Sequence, residues 1–549
     1  MKRPRVLVGS VLAFLAVGGC TSTSDDEPPA DSSTEASSGT VAAGEQSTCW
    51  SAPASGSGGE IRFEDATADF GLVEPLTGMR GHAAAWGDID GSGTPDLFVG
   101  TFADRPVEEY QQRGADGPSS DVLLRSADDS LERAELPEVR GRTSGAAFAD
   151  LDGDGDVDLV VSRTPRDGER QTAPTTVYEN EGDGSFEEVD AGIDPSLSGR
   201  SVGVLDHDAD GLLDLFIVED IYEGGSSRLY RNVGDLQFED TTGEAGLPLD
   251  IDGLGLATGD VNADGWTDIF VGGSNRLFVG GSDGFKEVVS EVFEWETYGD
   301  EDLVAGAVFG DVNRDGRPDL AVGHHFNSTV DFGESVPVRL YLNQTSEPGD
   351  VPEFVDVTEE AGLVGLPTKA PDLSLADMDN DGWPDLVTTA STDGGSGPAV
   401  FRHTGELVDG VPRFEEPSGL GDPQYWISGP VADVDRDGRL DLLLVEWEPA
   451  LPSLFLRNIS DAGHWLSVGA GIGTKVAAYE AGRAGDVDRL ITSGEITASS
   501  GYTSGHELIV HLGLGETTDV DLQVTPPGED PTVLRGVAVD RHVQLPAGC

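Results

Sequence analysis

From about residue 60 onward the apolar residues come in short runs separated by polar turns, and one of these turns recurs seven times. Its pattern is D-x-[DN]-x-[DS]-G-x-x-D; the copies begin at Asp88, Asp150, Asp206, Asp260, Asp311, Asp377 and Asp433, spaced by 51 to 66 residues. Each copy runs straight into an apolar stretch of β type: Leu97-Phe98-Val99, Leu159-Val160-Val161, Leu215-Phe216-Ile217-Val218, Ile269-Phe270-Val271, Leu320-Ala321-Val322, Leu386-Val387 and Leu442-Leu443-Leu444-Val445. Another apolar run leads into the turn, as in Gly145-Ala146-Ala147-Phe148-Ala149 before Asp150. Two further pieces alternate with these. One is F-x-D-x-T, seen at Phe63–Thr67, Phe238–Thr242 and Phe354–Thr358; the other is L-Y-R-N-like, at 177–180, 229–232, 340–343 and 454–458. Four short strands per unit with turn residues between them predict the blade of a β-propeller. A repeat at this period predicts an array whose units bury their apolar faces against one another.

The order of the pieces bears on closure. The chain opens with a lone F-x-D-x-T piece, and the seventh unit ends at 454–458 without one of its own. The N-terminal piece can supply that missing outer strand and close the ring, which removes the exposed edges of an open array. The expectation is an all-β chain: a seven-bladed propeller over 60–458, then a small all-β domain over 459–549. Apolar runs at 465–470, 475–479, 488–492, 508–512, 518–524 and 533–545 supply the strands of that domain.

The recurring turn also carries chemistry. Oxygen side chains at positions 1, 3 and 5 can converge on one point, while Gly at 6 permits a sharp reversal. A backbone carbonyl at 7 and a carboxylate at 9 complete six or seven oxygens, a set that suits Ca²⁺ better than octahedral Mg²⁺. The candidate ligands are Asp88, Asp90, Ser92 and Asp96; Asp150, Asp152, Asp154 and Asp158; Asp206, Asp208, Asp210 and Asp214; Asp260, Asn262, Asp264 and Asp268; Asp311, Asn313, Asp315 and Asp319; Asp377, Asp379, Asp381 and Asp385; Asp433, Asp435, Asp437 and Asp441. Up to seven Ca²⁺ are expected, one per blade. Zn²⁺ is disfavoured because no Cys or His is expected to join the cluster. An EF-hand is excluded because position 12 falls in the β runs (Val99, Val161, Ile217, Val271, Val322, Thr388, Leu444) where that motif needs an acid. Ser92 gives the first loop one carboxylate fewer, so it is expected to bind most weakly.

Composition narrows the partners. With 102 Asp plus Glu against 33 Lys plus Arg, the formal charge is −69. Such a surface repels phosphate backbones and anionic headgroups, so nucleic acid and direct membrane-surface binding are disfavoured. At the N-terminus, Lys2, Arg3 and Arg5 precede an apolar stretch from Val6 to Val17, too short to span a bilayer. It ends Leu15-Ala16-Val17-Gly18-Gly19-Cys20, which resembles the lipobox of bacterial lipoproteins. Residues 1–19 are thus expected to be a signal peptide, Cys20 the lipidated residue, and 20–59 a disordered tether. Membrane association would come through the lipid alone. The remaining cysteines, Cys49 and Cys549, stand at the two ends of the folded region and can pair in an exported protein; separate or free thiols are the alternative.

The residues now match a family. Ala307-Val308-Phe309-Gly310-Asp311-Val312-Asn313-Arg314-Asp315-Gly316-Arg317-Pro318-Asp319-Leu320-Ala321-Val322-Gly323 resembles an FG-GAP repeat, also called a VCBS-type repeat in secreted bacterial proteins. Gly471-Ile472-Gly473-Thr474-Lys475-Val476, Ser499-Ser500-Gly501-Tyr502 and His511-Leu512-Gly513-Leu514-Gly515 are similar to the ASPIC/UnbV domain, with Thr474-Lys475 in place of the usual Ala-Arg. Together they resemble the cartilage acidic protein group. The resemblance implies Ca²⁺-stabilised blades and an extracytoplasmic adhesive or scaffolding role, with no shared chemistry to transfer.

Two functions follow as expectations. The first is a monomeric, lipid-anchored binding module at the cell envelope, without catalysis, whose partner is a surface protein or glycan. The second is a Ca²⁺-dependent propeller enzyme, either a phosphate-ester hydrolase or a quinone-type dehydrogenase. The nine histidines are scattered apart from His324-His325, and the basic residues are thin, which favours the first. A ligand face is expected opposite the Asp loops, where Trp295, Tyr298, Tyr425 and Trp426 offer aromatic faces.

Overall fold

The computed structural model describes residues 40–41, 48–127, 130–165, 173–293, 302–326, 338–366, 368–390, 396–422 and 424–546. Seven sheets, each with one Asp loop between its first two strands, and one two-stranded hairpin, His403–Val408 with Val411–Phe414, occupy residues 63–458. The third sheet is representative: Gly199–Leu205, Asp214–Glu219, Arg228–Asn232 and Phe238–Asp240 pair in sequence order, all antiparallel. Its first two strands are buried along their whole length, as expected of strands covered on both faces.

Each sheet packs on the next through its own apolar cluster. Phe98 and Leu123 meet Phe148 and Tyr178 between sheets 1 and 2. Leu215 and Tyr230 meet Ala147 and Val160 between 2 and 3. Further clusters join 3 to 4, 4 to 5, 5 to 6 and 6 to 7. Trp86 and Leu97 then meet Leu443 and Phe455, so the seventh sheet packs back on the first and the ring is closed.

The last sheet takes its outer strand from the N-terminus: Phe63–Asp65 pairs antiparallel with Leu456–Asn458. The F-x-D-x-T piece does the same work at every site. Asp240 accepts hydrogen bonds from the N–H and hydroxyl of Thr242, whose oxygen accepts the Leu229 N–H. Asp356 and Thr358 repeat this against Leu340. Asp65 and Thr67 repeat it against Phe455, some 388 residues away. This local side-chain turn ends the outer strand and ties it to its neighbour.

The C-terminal unit is a two-sheet sandwich. One sheet runs Thr532–Ala538, Asp519–Thr525, Lys475–Glu480, Leu490–Glu495; the other runs Ile509–Gly515, His464–Gly469, Arg541–Gln544. Leu466, Val476, Leu512, Leu522 and Val543 fill the space between them.

The tether expected to reach residue 59 ends earlier. Thr40–Val41 pairs with Val533 and Leu534, the Trp50 ring stacks on Trp465 at 4.8 Å, and the Gly56 N–H donates to the Ala462 carbonyl. A lone extended segment whose partners lie more than 400 residues away has no periodicity to betray it. Cys49 is disulfide-bonded; Cys549, Cys20 and the signal segment lie outside the described residues. No described helix is long and apolar enough to cross a membrane.

Candidate metal centres and the two faces of the ring

Within each Asp loop the backbone is organised by the carboxylates themselves. The position-1 aspartate accepts the N–H of the position-6 glycine, as Asp88 from Gly93, Asp311 from Gly316 and Asp433 from Gly438. Position 5 accepts the N–H of position 7 in loops 2 to 7. Position 4 is left-handed throughout, from Gly91 (φ 65°) to Arg436 (φ 56°). The side chains at 1, 3 and 5 thereby turn inward. Oxygens of Asp88, Asp90 and Asp96 converge within 4.8 Å of one another, as do those of Asp150, Asp152 and Asp154, of Asp206, Asp208 and Asp210, and of Asp377, Asp379 and Asp385. An all-oxygen donor set of this spacing fits a hard divalent cation.

Position 9 does more than the ligand role expected of it. Asp96, Asp158, Asp214, Asp268, Asp319, Asp385 and Asp441 are buried, and each accepts two backbone N–H groups. One oxygen takes the N–H of position 2. The other takes an N–H at or just beyond the third strand: Ser126, Asn180, Asn232, Gly280, Asn343, His403 or Asn458. The asparagine of the L-Y-R-N piece adds a tie between blades. Asn180, Asn232, Asn343 and Asn458 each donate to the position-2 carbonyl of the preceding loop: Ile89, Leu151, Val261 and Met378.

Burial is the main force on these carboxyls. It pushes Asp96 and Asp158 up to about 7, and Asp311, Asp381 and Asp437 up to about 6, with neighbouring carboxylates adding to the rise. It also raises Asp268, Asp319, Asp377, Asp385, Asp433 and Asp441 well above the ordinary carboxylate value. Gathering this much negative charge without a counter-ion disfavours the ionised state.

One expectation is corrected here. A histidine does join a cluster: His207, at position 2 of the third loop, lies with Asp208 and Asp214, its Nδ1 on the Asp214 carboxylate. Burial works to lower its pKa, but the bond to Asp214 and that charge raise it overall.

The C-terminal sandwich sits on the Asp-loop face. Lys475 Nζ donates to Asp260 Oδ2 at 2.7 Å and to the Asp260 carbonyl at 3.0 Å. Ser493 donates to Asp311 Oδ2, His511 Nε2 meets Asn380 Oδ1 at 2.8 Å, and Arg436 pairs with Glu507. A cavity of about 350 Å³ remains between Asn262, Asp311, Lys475, Tyr479, Glu495 and Gln523.

From this sandwich a hairpin, Ser499–Ser500 and Ser504–Gly505, enters the axis of the ring and meets every sheet. It pairs in parallel with Ala84 and Ala85 of the first and lies against Gly145 and Ala146 of the second. Ser499 and Tyr502 bond to Val202 and Ser201 of the third. Gly501 bridges Leu256 of the fourth and Ala307 of the fifth. Asp372, at the start of the sixth, accepts the Tyr502 N–H at 2.8 Å and the Ser504 hydroxyl, which also meets Ser428 of the seventh. Gly501 is required at the tip: its φ is +74°, and a Cβ there would stand 2.2 Å from Asp372 Oδ1. The family pattern around Ser499–Tyr502 marked this segment, but nothing in its residue types pointed to the channel.

The opposite face departs from expectation in one residue. Trp426 is buried at 3% exposure in the innermost strand of the last sheet, its indole N–H on the Asp422 carbonyl, so it offers no ligand face. Tyr425 is half-buried at the channel mouth. Trp295 and Tyr298 lie outside the described residues.

A ring of sheets with carboxylate-lined hairpins, plugged by a C-terminal sandwich, defines the class. FG-GAP-like repeats match over residues 150–217, 206–271, 260–322 and 337–444, and an ASPIC and UnbV domain matches over 467–548. The chain belongs to the FG-GAP repeat family and ends in an ASPIC/UnbV domain. It is similar to cartilage acidic protein 1 of Xenopus tropicalis, with 28% identity over 71% of this chain and 62% of the relative. The Homo sapiens protein of that name gives 28% identity over 73% of this chain and 62% of the relative. The chain therefore spans about three-fifths of the length of these relatives. Among solved structures, rhamnogalacturonan lyase YesW aligns at a TM-score of 0.35 and 14% identity, over 70% of this chain and 72% of that one.

Proposed function

We propose that this chain is a calcium-stabilised, non-catalytic binding module, exported and held at the cell envelope by a lipid on Cys20. The observation that carries the calcium reading is the convergence of three carboxylates within 4.8 Å in repeated loops of identical backbone design. Loop residues at positions 1, 3, 5 and 9 would hold the ion, with position 9 also bracing the hairpin from behind. Calcium supplies the positive charge that offsets clustered carboxylates and orders the loops. The sandwich on the loop face and the hairpin in the axis make the ring a rigid platform rather than an open channel. The non-catalytic reading is supported by the partners of four histidines: among the described residues, buried His82 and half-buried His325, His506 and His511 bond to Ser144, Tyr222, Ser500 and Asn380, and none to a carboxylate that would make a catalytic dyad. The test is a metal analysis of purified full-length chain together with a screen for hydrolase, dehydrogenase and glycosidase turnover in calcium. Bound calcium with no turnover supports the reading; turnover abolished by one substitution outside the loops overturns it.

A further inference from the structure

At the end of the channel away from the Asp loops, the hairpin tip is encircled by cationic and aromatic side chains from six of the seven sheets. Arg80 lies with its guanidinium 4.4 Å over the Trp447 ring, and Trp447 stands 5.1 Å from Phe102 and 5.9 Å from His82. Arg142 lies 4.8 Å over Phe102, and Arg200 lies 5.1 Å over the Tyr502 ring. The Tyr222 hydroxyl meets His325 Nδ1 at 3.2 Å, and Lys369 Nζ approaches the Tyr425 hydroxyl at 3.5 Å. Leu254, Ala305, Ile427 and Tyr502 form an apolar floor.

Four cations converge here in a chain that carries only 33 against 102 acids. Asp220 and Glu223 serve Arg200 and Arg142, and Glu109 lies 3.6 Å from Arg80. Lys369 is different: it is 4% exposed and has no carboxylate partner among the described residues. The buried Nε–H groups of Arg80 and Arg200 also lack an acceptor among those residues. A buried Lys side chain with no carboxylate beside it among the described residues is costly and favours an anion. His82 and His325 feel the same positive field: after burial, Arg200 is among the groups that depress both.

We infer that this mouth binds the carboxylate of an acidic saccharide, a uronic-acid unit whose ring lies against the aromatic rim. Guanidinium and ammonium groups make charge-assisted bonds to a carboxylate. Trp447, Tyr425 and the exposed Tyr222 present faces for the apolar side of a sugar, and neutral imidazoles and phenol hydroxyls can exchange bonds with its hydroxyls. A peptide seeking strand addition is disfavoured, because the innermost strands already pair within their sheets or with the hairpin.

The inference rests on the binding-module reading and names the chemistry of its ligand. The experiment titrates the full-length chain in calcium with a glucuronate-containing tetrasaccharide, its carboxyl-reduced neutral counterpart and a peptide ending in Phe with a free carboxylate. Calorimetry and the change in intrinsic tryptophan fluorescence, compared with that of Trp447→Phe, are the readouts. The acidic sugar should bind, the neutral one at least tenfold more weakly. Lys369→Met should cost at least tenfold without lowering the melting temperature, and Tyr222→Ala, at an exposed site that does not threaten folding, should cost several-fold. Equal binding of acidic and neutral sugars, indifference to Lys369→Met, preference for the peptide, or no binding at all overturns the assignment. If that failure comes with a calcium-dependent melting shift intact, the mouth assignment falls and the binding-module reading stands.

Discussion

In the first three acidic loops the leading carboxylates, Asp88, Asp150 and Asp206, are only half-buried, whereas Asp311, Asp377 and Asp433 in the last three are buried beneath the C-terminal sandwich. Position 4 separates the two groups further. Arg314, Asn380 and Arg436 each reach forward to the carbonyl of the position-6 glycine in the next loop: Gly382, Gly438 and Gly93. Gly91, Gly153, Ala209 and Ala263 hold that position in the other four loops and are too short to reach. One ligand pattern thus serves two mechanical roles. On one side, loops 2 and 3 are hairpins open to solvent with no position-4 tie, while loop 1 receives the Arg436 side chain of loop 7. On the other they form a chained row whose charge state is coupled to the docking of the second domain. Loop 4 stands between them, unchained but with Lys475 on Asp260.

Breaking the coupling at its centre should have the largest effect. Gly513→Val would drive a side chain into Asp377, where even a Cβ would lie 1.8 Å from Oδ2. It should destabilise the protein by about 4 kcal/mol or more in urea melts, the size expected of severe overpacking against a buried charge. Gly91→Val, on the open side with nothing within 4 Å, meets only its left-handed backbone and should cost about 1–2 kcal/mol. Next in size is Asp385→Ala, which leaves the N–H groups of Met378 and His403 buried without an acceptor, at about 1–3 kcal/mol each.

The pH dependence should reverse with cation content. Without calcium, Asp96 and Asp158 near 7 and Asp311, Asp381 and Asp437 near 6 all sit above the ordinary value of 3.8. The folded state then binds protons more tightly than the unfolded one. Stability of the chelated protein should therefore rise as pH falls from about 7 towards 4, and fall as pH rises through the same window. Calcium-loaded protein should behave oppositely, because protons displace the ion. Melting temperatures between pH 4.5 and 7.5, with and without chelator, check both signs. The smallest effects concern single loops. Lys475→Met should tighten calcium at loop 4 several-fold by removing a competing charge. Loop 1, with Ser92, should give up its ion first in a chelator titration followed by anomalous scattering.

The sequence made the ring legible because its devices are local and repeated. Position-9 aspartates recur at each blade, Asp-x-Thr turns at three and L-Y-R-N asparagines at four, and the lone Phe63–Thr67 piece announced where the ring closes. What stayed hidden was non-local and unrepeated. Ser499–Gly505 is a run of small residues around one tyrosine, Tyr502, that becomes an axial plug only because seven inner strands surround it. Trp50 docks on Trp465 across the length of the chain, and Trp426 is buried by an inner strand that its exposed-looking Tyr-Trp context does not reveal. His207 escaped notice because position 2 points away from the ion in the ideal loop, yet here its ring folds back on Asp214.

The central claim is that divalent cations hold the acidic loops in order. Scanning calorimetry of the calcium-loaded full-length chain, before and after exhaustive chelation at pH 7.5, tests it directly. A site held at a hundred times its Kd contributes about 2.7 kcal/mol, so emptying four or more sites together should lower the melting temperature by about 10 °C or more. An unchanged melting temperature in protein verified to be free of calcium would contradict the account.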